Sequence, residues 1–117
     1  PWRDTEIERV FEPVAENAPD GVVVIDPDIQ DLVPRFLENQ LARAKLVVDL
    51  TGSGDYETVR RIGHNMKGAG KGYGFEVISS FGESIERAAM RSACAEVTRV
   101  AKELEEYLAE VKWQARS

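Results

Sequence analysis

The stretch HNMKGAGKGYG, His64 to Gly74, gathers the residues best suited to do chemistry. His64 is the only histidine in the chain, with Arg60 four residues before it and Lys67 and Lys71 three and seven after it. At about 100° per residue these four share one face of a helix. Val59, Ile62, Met66, Ala69 and Tyr73 fall together on the other side, so the apolar set turns to a core and His64 to solvent. Neutral imidazole is a nucleophile, and it gains or loses its proton close to neutral pH. Cations around it would offset the charge of a phosphoryl group placed on the ring. The pattern suits a phospho-acceptor.

Glycine sharpens that reading. Gly63, Gly68 and Gly70 surround His64 within one helix, and each costs about 1 kcal/mol of helix stability relative to alanine. Gly63 and Gly70 border the apolar face, where a missing side chain lets a neighbouring helix approach. Gly68 lies on the exposed face beside His64 and leaves room for something to reach the ring. A surface histidine or a basic stripe alone is ordinarily just a solvated helix face. Here an acidic chain of net charge -6 concentrates Arg60, Arg61, Lys67 and Lys71 around its one imidazole, next to an exposed helix glycine.

The elements that must hold this face are helical, because apolar residues recur at helix spacing almost throughout. Ile7, Val10, Phe11 and Val14 predict a short first helix broken near Pro13. ENAPDGVVVIDPD follows as a loop, with VVVI extended against the bundle for want of a strand to pair with. Asp26 and Pro27 form a helix start, a cap and a first-turn proline. The stripe Ile29, Leu32, Val33, Phe36, Leu37 and Leu41 carries that helix to about Leu50, with Pro34 expected to kink it. The next helix covers roughly 55–72, opened by Ser53 or Asp55 as cap. Another opens near Phe75 with Ile78, Gly82, Ile85 and Ala89 on one face. The last runs from about Ser92 with Val97, Val100, Ala101, Leu104, Tyr107, Leu108 and Val111 inward. Such a series implies an all-α fold: one domain over 1–117, with an N-terminal helix and extended segment over 1–25 and an antiparallel four-helix bundle over 26–115.

Composition narrows the function. The acidic balance argues against nucleic acid as the partner, and no apolar run approaches the roughly 20 residues of a membrane span. One cysteine and one histidine cannot build a disulfide or a structural zinc site. A cytoplasmic monomer with no metal of its own is expected. Cys94 is expected to be packed at the start of the last helix, Trp2 and Trp113 to close the ends of the bundle or face solvent, and KELEEYLAEVK to be a solvated helix face.

HNMKGAGKGYGFEVISSFGESIERAA resembles the core motif of histidine-containing phosphotransfer domains. That motif is a histidine, two residues, Lys-Gly, a glycine just before the next helix, and a Glu or Gln late in that helix. The matching residues are His64, Lys67, Gly68, Gly74 and Glu86. DPDIQDLVPRFLENQ is similar to the helix that precedes the motif in many members, so the likeness spans about Asp26 to Ala89. The resemblance implies a bundle that carries a phosphoryl group between aspartates of response-regulator receiver domains, with no cofactor of its own and with Mg²⁺ supplied by the receiver. His64 would accept the group on Nε2, Lys67 would sit near the phosphoryl oxygens, and Gly68 would keep the surface open. Arg60 and Lys71 would add to the partner-binding field.

Glu86 falls on the flank of its helix's apolar face, in line with Ser79 and Gly82, and has two readings. It either hydrogen-bonds His64 Nδ1 and fixes the tautomer, or pairs with an arginine on a neighbouring helix. Function likewise has alternatives: the substrate domain of a chemotaxis-type histidine kinase, or a bundle that binds receivers without transfer. Independent catalytic turnover is not expected, since there are no paired carboxylates at matched positions, no nucleophile triad and no phosphate-binding loop.

Overall fold

A computed structural model of the chain describes residues 22–116. The helix expected over Ile7 to Val14, and Trp2 with it, lie outside the described residues. Four α-helices form the bundle: α1 (Val33–Gly52), α2 (Tyr56–Tyr73), α3 (Glu76–Met90) and α4 (Cys94–Glu110). The closest pairings are α2 with α3 and α1 with α4, and contacts of α3 with α4 and α1 with α2 complete the ring. The core holds Val59 and Met66 of α2, Ile78 and Ile85 of α3 and Val97, Ala101 and Leu104 of α4.

Local chemistry sets the ends of the helices. Asp26 accepts a hydrogen bond from the Asp28 amide at 2.8 Å, and Pro27 opens a 3-10 helix over Pro27–Leu32. The α-helix begins only at Val33, so Pro34 sits in its first turn, where the amide it lacks would have had no partner. The expected kink within one long helix is therefore a 3-10 to α junction at its start. The junction also shifts the buried face. Val33, Phe36, Gln40, Ala44, Val47 and Thr51 point inward on α1, while Leu32 is 53% exposed. The leucines marked the edge of the stripe, and smaller or polar residues fill its centre.

Asp55 caps α2 by accepting from the amide and the hydroxyl of Thr58. These bonds hold its carboxyl below the usual range, the side-chain bond first. Gly74 ends α2 with φ 84°, a left-handed conformation that favours glycine, and Phe75 N–H reaches back to Gly70 C=O at 2.8 Å. Phe75, fully buried, then anchors the turn into α3. Phe36 of α1 stacks on Tyr73 of α2 at 4.1 Å and pins the two helices at this end.

The extended segment does find a partner. Val23–Ile25 forms β1 and pairs in parallel with β2, Trp113–Ala115, with Val23 opposite Trp113 and Ile25 opposite Ala115. The missing partner strand was thus the chain's own C-terminal end, where Trp113 is half-buried against the core. Cys94, expected to be packed, is exposed, because the inward face of α4 begins only at Val97. No helix among the described residues is long and apolar enough to cross a membrane.

Candidate functional site

The site is built by how closely α2 and α3 approach. A Cβ on Gly63 would lie 2.7 Å from the Glu86 amide nitrogen and 2.8 Å from the Gly82 carbonyl. One on Gly82 would lie 2.5 Å from the Lys67 nitrogen, and one on Gly70 would lie 2.5 Å from that of Ser79. Each distance is shorter than a real Cβ tolerates, so at these three points the helices meet backbone to backbone. The contacts run in opposite order along the two helices, Gly63 against Glu86 and Gly70 against Phe75 and Ser79. Residues 63 and 70 are seven apart and share one face, so the seam continues for two turns.

That seam positions the functional side chains. Gly63 lies against the Glu86 backbone, so the residue after it, His64, emerges beside the Glu86 side chain. Nδ1 of His64 and Oε2 of Glu86 are 3.2 Å apart. The side chain of Glu86 is 18% exposed and that of His64 68%, so a shielded carboxylate holds one edge of a ring whose remainder is in solvent. An ionised carboxylate only accepts hydrogen bonds, so in the neutral ring this contact favours the tautomer with the proton on Nδ1 and the lone pair on Nε2. Of the two readings of Glu86, the contact with His64 is the one present. Its only ion-pair partner among the described residues is the His64 ring.

The other expected residues divide. Gly68 is exposed, and a Cβ placed there would meet nothing within 4 Å, so the surface beside the imidazole is open. Lys67 is half-buried, its backbone resting over Gly82, and Lys71 is exposed one turn further on. Neither lysine has a carboxylate within ion-pair distance among the described residues. Arg60 is engaged differently, bonding Glu57 at 3.0 Å, with Arg61 reaching the same carboxylate at 3.7 Å. Both pairs are exposed and worth at most about 1 kcal/mol, so a partner could draw Arg60 away. Gly82 was legible only as part of an apolar face, and its spacing from Gly63 and Gly70 carries no periodic signal across two helices.

The described residues contain no group of three or more His, Cys, Asp or Glu side chains placed to hold a metal ion. The arrangement offers one solvent-facing imidazole, two ammonium groups on its helix that are unpaired among the described residues, and bare backbone alongside. Comparison with protein-family models, curated proteins and solved structures gives no match.

Proposed function

We propose that the chain is a phosphorelay intermediate of the histidine-containing phosphotransfer type. In this reading it takes a phosphoryl group from a receiver-domain aspartate onto His64 and yields it to another receiver, in a cytoplasmic setting. The observation that carries the reading is the Glu86 carboxylate on Nδ1 of a ring that is otherwise exposed. A surface histidine with no task has no need of a shielded carboxylate to set its tautomer.

The Nε2 lone pair attacks phosphorus, the N–P bond forms, and the P–O bond to the donor aspartate breaks as its carboxylate leaves. The ring takes on positive charge as the bond forms, and Glu86 stabilises it through the Nδ1 proton. Lys67 and Lys71 offset the charge on the phosphoryl oxygens. Gly68 lets the receiver's active site approach the ring without meeting a side chain. The receiver brings Mg²⁺ and the groups that polarise its own acyl phosphate, so this chain supplies an oriented nucleophile and a docking face.

The test is incubation with phosphorylated receivers from the same organism. Wild type is expected to acquire label and His64→Gln to acquire none while keeping its helical content, since the replaced side chain is exposed. Equal labelling of the variant would remove His64 from the role.

A further inference from the structure

A second surface is built around α1, apart from His64. Between α1 and α2 runs a groove of about 300 Å³, bordered by Leu32, Arg35, Asn39 and Arg43 and lined below by Phe36 and Tyr73. Arg35, Asn39 and Arg43 recur every four residues, so they form one stripe along the helix. Leu46, three residues past Arg43, continues the stripe beyond the groove, and it spans about 20 Å from Leu32.

Two features set this strip apart. Arg60, Arg61, Arg87, Arg91 and Arg99 each pair with a glutamate, whereas Arg35 and Arg43, like Arg116 outside the helices, have no carboxylate partner among the described residues. Leu32 and Leu46, at its ends, are 53% and 45% exposed, and Met90 is the only other large apolar side chain so exposed among the described residues.

We propose that this strip docks an acidic amphipathic helix of a protein partner. Two unpaired guanidinium groups, eight residues and so about 12 Å apart along α1, match carboxylates about two turns apart on such a helix, and Arg forks carboxylates with both geometry and charge. The exposed leucines at either end give its apolar face two anchors. A groove lined along one helix from Leu32 to Arg43 suits an elongated segment better than a small ligand, which pockets enclose over most of its surface.

The test titrates the ¹⁵N-labelled full chain with a synthetic acidic amphipathic peptide, leucine along one face and glutamate along its flanks. A second peptide has glutamine for every glutamate. Saturable shifts are expected on α1 and at Ala69 and Tyr73. Affinity should fall on the order of tenfold or more for the glutamine peptide, and likewise for Arg35→Glu combined with Arg43→Glu. Both arginines are exposed, so the double variant should keep its fold by circular dichroism, and Arg99→Glu on α4 should bind as wild type does. Absence of saturable shifts, shifts centred on another face, or equal affinity for the charge-reversed chain would overturn the proposal. Sedimentation of the chain alone should show no dimer. A dimer dispersed by the same charge reversal would give the strip to a second copy and overturn it too.

Discussion

His64 and Glu86 depend on one another through a single proton. A free histidine ring in water places its proton mainly on the nitrogen that must here stay bare, so the carboxylate at Nδ1 has to reverse that preference. Glu86→Ala is expected to return the neutral ring to the tautomer mixture of a solvated histidine, seen in long-range ¹H–¹⁵N spectra, and to slow phosphorylation. An unchanged tautomer in that variant would reduce Glu86 to a structural neighbour. The exposure of His64 was legible because its angle from Val59, Met66 and Tyr73 follows from one helix. The contact with Glu86 was not, since it depends on which flank of α3 faces α2, and two readings fit the same residue.

At the scale of the element, the α2–α3 seam explains why glycines that look alike behave differently. Gly63, Gly70 and Gly82 are required by backbone contact, whereas Gly68 has open space around it. Gly63→Ala and Gly82→Ala should each destabilise by about 1–3 kcal/mol through overpacking, since the atoms in the way are backbone. Gly68→Ala should leave stability unchanged or raise it by up to about 1 kcal/mol. Urea unfolding of the three variants checks this, and equal losses at all three positions would contradict the seam. The four bundle helices were legible from apolar spacing, with α2 offset by one residue at each end and α1 starting later than expected, at Val33. The buried face of α1 was not, because Gln40 and Thr51 occupy core positions that hydropathy assigns to solvent. Gln40 shares the phase of Phe36, Ala44 and Val47, and this spacing was the available signal.

Over the whole molecule, two three-residue strands join the beginning and end of the described chain, each too short to show its own periodicity. β1 could be seen as an extended apolar run, but its partner lies at the far end of the sequence, inside what reads as the tail of a helix. The back of the bundle also carries a titratable group. Burial pushes the Tyr107 phenol up to about 12, and its hydroxyl has no hydrogen-bond partner among the described residues. Below about pH 10 the phenol is neutral in both folded and unfolded chains; above it the unfolded chain ionises first, so stability falls as pH rises from about 10 to 12. Tyr107→Phe should blunt that fall in urea midpoints compared at about pH 9 and pH 11, and an identical pH dependence would show the ring to be freely solvated.

The proposed function makes this bundle a carrier, and its central claim is that the open nitrogen of His64 receives the phosphoryl group. The most direct measurement is ¹⁵N and ³¹P NMR of the ring-labelled chain after transfer from a phosphorylated receiver. Phosphorus coupled to Nε2, with Nδ1 still protonated, is the predicted result. Phosphorus on Nδ1, on another residue, or nowhere on the chain would contradict it.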